Sequence, residues 1–278
     1  MSLPEGKNLW VESLSETDAA GMSQSHFHDY YEIYYLLEGK RRYFINHTLY
    51  DITANDIILV NKGDIHLAQS STPAGKYARC LITFSDQFLN NLGSEFDKDF
   101  LIKIFDIKKI HIPESMQNTF NMLLHKAETK IKQDNIYSQY IAKLNILELL
   151  VNINKFSTKN NTPLMDDLTV YEDRIQEVCR YICNYYNKPI SLNEMAKIAY
   201  MSPTYFSKKF KRVTGFGFNE YLNNVRIKMA TSLLMETQSS ITEIATFCGY
   251  QDSNYFGDVF KKIIGISPNK YRKEHYIL

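Results

Sequence analysis

Apolar and polar residues change rhythm along this 278-residue chain. From about His28 to Thr83 the apolar positions come in short runs rich in Tyr, Ile, Phe and Leu: YYEIYYLLEG, RRYFINHTLYDI, DIILVNKGDIH and YARCLITF. Turn signals separate them at Gly39-Lys40, Asn46-His47, Ala54-Asn55-Asp56 and STPAG. Short strands at that spacing predict a small β-barrel or jelly roll. After Pro113 the period lengthens. Phe120, Leu123, Leu124, Ala127 and Ile131 recur at helical spacing, and so do Tyr140, Ile141, Leu144, Leu147, Leu149, Leu150 and Ile153 beyond the polar break Gln133-Asp134-Asn135. This predicts a hairpin of two amphipathic helices with two open roles, cover for the barrel or a dimerisation surface. The polar stretch STKNNTPLMDD reads as a linker, after which the pattern is helical to the end. The expected fold is α+β and multidomain: a barrel over residues 1–112, a helical hairpin over 113–156, a linker over 157–168 and an all-α domain over 169–278.

The all-α part contains an internal repeat. Ser191-Leu192-Asn193-Glu194-Met195-Ala196 is echoed by Ser240-Ile241-Thr242-Glu243-Ile244-Ala245. Tyr205-Phe206, Phe210-Lys211, Gly215 and Tyr221 are echoed by Tyr255-Phe256, Phe260-Lys261, Gly265 and Tyr271. Each copy makes physical sense as a short helix, a tight turn and a second helix. Ser191 and Ser240 can cap the first helix, with Glu194 and Glu243 completing a capping box. Ser202 or Asp252 caps the second, Pro203 suits its first turn, and Gly215 or Gly265 ends it. Tyr205, Phe206 and Phe210 are expected to point inward, as are Tyr255, Phe256 and Phe260. That arrangement is a helix-turn-helix unit, twice over, at about 188–215 and 238–265. The stretch from Phe218 to Glu236 reads as one long helix of roughly 28 Å, able to hold two recognition helices about one DNA turn apart.

These residues resemble the AraC/XylS family of bacterial transcription regulators. The matching text runs SLNEMAKIAYMSPTYFSKKFKRVTGFGFNEYLNNVRIKMATSLL and SITEIATFCGYQDSNYFGDVFKKIIGISPNKYR, about residues 171 to 273. It includes Arg226-x3-Ala230-x2-Leu233-Leu234, Gly249-Tyr250 and Gly265-Ile266-Ser267-Pro268. Tyr250 stands where Phe is commoner, and Cys248 where a polar or small residue often sits. The resemblance implies base contacts from Thr204, Ser207 and Lys208 in the first unit. Ser253, Asn254 and Asp258 take that place in the second, where Asp258 sits awkwardly near phosphates. Lys209, Lys211, Arg212, Lys261 and Lys262 are expected to hold phosphates.

Charge supports that division. From Tyr171 onward there are 15 Lys and Arg against 10 Asp and Glu; before it, 17 against 21. A basic C-terminal part on an acidic N-terminal part fits a nucleic-acid-binding module joined to something else. The four cysteines form no CxxC pair, the first residues lack the character of a secretory signal, and no apolar run approaches the ~20 residues needed to span a bilayer. The expected location is the cytoplasm.

The barrel carries its own chemistry. His26-Phe27-His28-x3-Glu32-x6-Gly39 resembles the first cupin motif, and Asn61-Lys62-Gly63-x2-His66 the second, with Asn61 in place of the usual Pro and Asn55 in place of the usual Gly. The likeness implies that His26, His28, Glu32 and His66 would be the ligands if this cupin-like domain held a metal. The preferred expectation is that they shape the barrel mouth without metal or other cofactor. With Tyr30 and Tyr34 they form the candidate effector pocket, a carbohydrate being the first expectation by family resemblance. The chain thus reads as a non-enzymatic, DNA-binding regulator, expected to be an activator and a homodimer, with double-stranded DNA, a small effector and RNA polymerase as candidate partners. The alternatives are a metal-dependent cupin enzyme, and a constitutive DNA-binding dimer without effector.

Overall fold

A computed structural model describes residues 3–17, 27–70, 75–92, 97–133, 135–157 and 170–275. The linker expected over 157–168 falls almost wholly outside them, as does His26. The chain divides into two compact units, Met1–Ile45 with Tyr50–Asp166, and Asp167–Leu278 with Asn46–Leu49.

Among the described residues there are eight strands: β1 (Leu9–Thr17), β2 (Tyr31–Glu38), β3 (Lys40–Ile45), β4 (Thr48–Thr53), β5 (Asp56–Val60), β6 (His66–Ser70), β7 (Lys76–Phe84) and β8 (Lys109–His111). They form a five-stranded sheet in the order β1-β7-β2-β5-β8 and a three-stranded sheet in the order β4-β3-β6. Three of the expected turns fall where the signals put them, while STPAG lies almost wholly outside the described residues. Gly39, Asn46 and Asn55 all take positive φ, at 89°, 54° and 71°. Asn is the residue that best tolerates this backbone after Gly, which is how Asn55 fills a position where a glycine is usual.

β2 lies inside the larger sheet with its first six residues buried, so it lacks the polar alternation of a half-exposed strand. Its odd positions, Tyr31, Ile33 and Tyr35, join one core with Phe84, Ile82 and Leu59. Helices α1 (Asp86–Asn90), α2 (Lys98–Ile102), α3 (Glu114–Ile131) and α4 (Ile136–Ser157) follow. Phe120, Leu123, Leu124 and Ala127 of α3 enter that core with Ile146, Leu149, Leu150 and Ile153 of α4. The even positions Tyr34 and Leu36 face the other way, into the barrel, with Tyr43, Ile58, Tyr77 and Leu81. Part of the hairpin therefore covers the sheet. Another stripe of α4 stays exposed: Tyr137, Tyr140, Ile141, Leu144 and Val151.

The second unit is helical: α5 (Val170–Tyr185), α6 (Leu192–Ile198), α7 (Pro203–Thr214), α8 (Phe218–Glu236), α9 (Ile241–Phe247), α10 (Ser253–Ile264) and α11 (Pro268–His275). α8 packs against α5, α7, α9, α10 and α11. No helix among the described residues is long and apolar enough to cross a membrane.

Candidate functional site

Each repeat folds as its caps dictate. Ser191 Oγ accepts from the Glu194 amide at 3.3 Å, while Glu194 Oε2 accepts from the Ser191 amide at 3.0 Å. In the second copy the same pair of bonds measures 3.2 and 2.7 Å, between Ser240 and Glu243. The turn closes identically in both: Met201 N donates to Ala196 O and Tyr250 N to Ala245 O, each at 2.9 Å. The left-handed residue this needs is Gly249 in the second copy (φ 85°) and Tyr200 in the first (φ 55°). Ser202 and Asp252 cap α7 and α10, and both helices stop at left-handed glycines, Gly215 and Gly265.

Aromatic packing repeats as well. Phe210 meets Tyr221 edge-on at 5.4 Å, and Phe260 meets Tyr271 at 5.6 Å. These rings bind the inner side of each second helix to the helix after it, and so decide which side faces out. Phe206, Phe210 and Val213 are buried on α7, and Phe256, Val259 and Phe260 on α10.

The expectation that Tyr205 and Tyr255 point inward is corrected. They are 41% and 54% exposed. Each precedes a buried Phe by one residue, which is a 100° rotation and carries the ring to the edge of the buried arc. Tyr205 instead lies between Tyr171 of α5 (6.0 Å) and the ammonium of Lys209 (5.6 Å).

The outward side of α7 presents Thr204, Lys208, Lys211 and Arg212, all exposed, with Ser207 half-exposed at its flank. Lys209 is half-buried over the rings of Tyr171 and Tyr205, turned away from the middle of that face. On α10 the exposed set is Asn254, Asp258, Lys261 and Lys262, with Ser253 half-exposed in the first turn. The fifty-residue offset places Asp258 at the position of Lys208, so the first face carries three cations and the second two cations and an anion. Between the copies Arg226 of α8 donates from Nε to Tyr186 O at 2.8 Å and from Nη2 to Lys188 O at 3.1 Å, with its guanidinium 5.3 Å from the centroid of the Tyr250 ring.

The barrel interior brings His28, Glu32 and His66 together within 4.8 Å. Tyr43 Oη donates to Glu32 Oε1 at 2.8 Å. Burial alone would raise the Glu32 pKa; the hydrogen bond from His28, the fields of His66 and His28, and the Tyr43 hydroxyl outweigh it and hold the carboxyl down to about 2. Tyr30 stacks on His28 at 3.7 Å, and Tyr34 packs with Tyr43 at 5.1 Å. Three interior groups were not anticipated from the sequence: Tyr43, Arg79 and Thr83. Strand register supplies them, since Arg79 and Thr83 share a face of β7 with Leu81.

Comparison with known proteins adds two family matches. The AraC-like ligand binding domain family matches residues 14–131, and a helix-turn-helix domain family matches residues 195–274. The regulatory protein PocR of Salmonella typhimurium is 31% identical over 151 residues, half of each chain. The transcriptional activator RhaR of Mannheimia succiniciproducens is 24% identical over 259 residues, 89% of this chain and 86% of its own. Among solved structures, ToxT from Vibrio cholerae is 18% identical with a TM-score of 0.40, covering 97% of this chain and 98% of its own. With an AraC-like ligand-binding domain ahead of a helix-turn-helix DNA-binding domain, this chain belongs to the AraC family of transcription regulators.

Proposed function

We propose that the chain is an effector-responsive transcription activator acting as a homodimer, in which a small polar molecule, a carbohydrate foremost, binds inside the barrel and alters how the paired helix-turn-helix units hold an operator. The effector reading is carried by the barrel interior. Tyr34 Oη, Arg79 Nη1 and Thr83 Oγ1 are buried there and make no hydrogen bond to the protein among the described residues. Each such group costs about 1–3 kcal/mol. A hydroxyl-rich ligand satisfies donors and acceptors of this kind, and the Tyr34, Tyr43 and Tyr77 rings offer it apolar faces. His28, Glu32 and Tyr30 line the same interior in this reading.

On the DNA side, Thr204, Ser207 and Lys208 read base edges in one major groove, and Ser253, Asn254 and Asp258 in the next. Lys211, Arg212, Lys261 and Lys262 hold phosphates, and Lys209 supports Tyr205 rather than the backbone. The first unit supplies more of the affinity because the second places an acid where the first has a lysine. The name of RhaR supports activation, which brings RNA polymerase in as a partner. The exposed stripe on α4 supports the dimer. Ligand would act through unequal affinity for two states of the regulator.

The test is genome-wide mapping of bound sites with and without candidate sugars, followed by binding of the recovered duplex to the purified protein. Sequence-specific binding that falls steeply with salt and shifts with one sugar supports the proposal. Binding unchanged across the panel leaves a constitutive regulator, and loss of sequence preference removes the DNA reading.

A further inference from the structure

Among the described residues, the barrel interior carries a cation that no carboxylate answers. Tyr34, Tyr43, Tyr77 and Leu81 mark the inward face, and alternation along β3 and β7 puts Arg41, Arg79 and Thr83 on it. Arg41 lies 4.0 Å from the Tyr77 ring centroid and Arg79 5.6 Å from that of Tyr34. Burial raises the Tyr34 phenol pKa, and the fields of both guanidiniums oppose that rise. Arg79 forms no ion pair among the described residues, and its Nη1 is buried without a hydrogen-bond partner, like Tyr34 Oη and Thr83 Oγ1. These three groups lie in a row. In the β2–β7 register Thr83 stands opposite Glu32 and Leu81 opposite Tyr34, and Arg79 comes next on the same face. Residues 79 and 83 are about 13 Å apart along the strand, a gap that the Arg79 guanidinium shortens by lying over Tyr34. The two ends of the row differ in sign: Arg79 is a cation, and Glu32 beside Thr83 is ionised.

We propose that the effector is a small hydroxy acid, its carboxylate seated on the Arg79 guanidinium and its hydroxyls directed to Tyr34 Oη and Thr83 Oγ1. This rests on the effector reading above and narrows it from carbohydrates at large to sugar acids. A guanidinium donates two parallel hydrogen bonds to a carboxylate, the strongest pairing this side chain makes. A neutral sugar leaves the charge unmatched, and an unpaired buried ion is costly. Glu32 fixes the orientation. Its negative charge repels an acid group from the Thr83 end and leaves that end to hydroxyls. A phosphate brings a second negative charge to one uncommitted guanidinium on a face that also holds Glu32, so a carboxylate is the better match. The Tyr34 and Tyr77 rings supply the apolar surface against which a sugar ring or a carbon chain packs.

The test needs no DNA. The full chain is titrated by calorimetry with matched sets of neutral sugars, their aldonic and uronic acids, and their 6-phosphates. The expected result is that an acid binds about 100-fold more tightly than its neutral counterpart, and that Arg79→Gln, folded by circular dichroism, loses about that factor for the acid alone. A second arm uses no ligand at all. Arg79→Met removes an unpaired cation from the interior and should raise the Tm of the protein measured without added ligand. An unchanged or lowered Tm in the folded variant makes Arg79 a packing residue and overturns the proposal. A neutral sugar that binds as tightly as its acid overturns it too, while leaving the effector reading intact. So does a 6-phosphate that binds more tightly than the carboxylates. Binding by none of the three arms removes the effector reading and the proposal together. Should Arg79→Met fail to fold, Arg79→Gln and the wild-type titrations decide.

Discussion

Gly249 offers the sharpest test of how the second helix-turn-helix unit is built. A methyl group there would lie 2.9 Å from Asn187 Cα, Asn187 O and Tyr186 O. All three are backbone atoms, so no side chain can swing aside. The residue also sits at φ 85°, which costs an L-residue roughly 1–2 kcal/mol. Overpacking against a fixed wall adds about 1–3 kcal/mol, so Gly249→Ala should cost roughly 2–5 kcal/mol. Two controls lie in the same unit. Gly265 is also left-handed, at φ 91°, but faces open space; Gly265→Ala should cost only the roughly 1–2 kcal/mol of backbone strain. Gly257 lies inside α10 with nothing within 4 Å of an added Cβ; Gly257→Ala should stabilise by about 0.5–1 kcal/mol. Native-state hydrogen exchange on the α9 and α10 amides measures this local stability in the full chain. If Gly249→Ala proves no worse than Gly265→Ala, the turn does not press on residues 186–187, and the account of the second unit is wrong.

Four further outcomes are expected. Lys208→Ala should cost about 1–3 kcal/mol of operator binding and relax preference at one base pair, whereas Lys261→Ala should lower the slope of log K against log salt by about one with preference unchanged; anisotropy titrations separate the two. Asp258→Asn should tighten DNA binding at low salt, with the gain shrinking as salt is added. Ser191→Ala and Ser240→Ala should each cost about 1 kcal/mol through loss of a cap. The serine side-chain and backbone bonds to Glu194, and the backbone and side-chain bonds of Ser240 to Glu243, hold both glutamates below their usual 4.5. That stabilisation is therefore present above pH 4.5 and lost as pH falls through and below it, seen as faster exchange in the first turns of α6 and α9. Leu144→Lys, in the exposed stripe of α4, should shift the protein to a monomer in sedimentation, whereas an unchanged dimer would place the interface elsewhere.

The helical half was legible because its signals are local. A serine followed three residues later by a glutamate, or a glycine after a run of helix formers, needs no partner distant in sequence, and both capping boxes and both terminal glycines formed as expected. Sequence alone does not separate Tyr205 and Tyr255 from the buried Phe beside each, but helical rotation does. Tyr200 shows another limit, since nothing in a tyrosine announces positive φ; only alignment with Gly249 does. In the barrel several strands were legible, β6 and β8 not among them, and their faces were not. Tyr34 and Tyr35 look equivalent along the chain, yet one lines the interior and the other packs under α3. That choice is made by pairing with β5 and β7, a long-range matter. Leu9–Thr17, which becomes an edge strand, carried no period that marked it.

Arg226 has a consequence for the DNA rather than for the protein. One guanidinium grips the chain just beyond α5 at two carbonyls and lies against the entrance to the second unit. If the two units read adjacent grooves as proposed, that grip would make the C-terminal unit a caliper rather than two beads on a string. An operator lengthened by one base pair between its half-sites would move one groove by about 3.4 Å and turn it by about 34°. A caliper held at one opening would not follow that change, so the duplex would have to twist instead. Genuine targets should accordingly vary in letters before they vary in length.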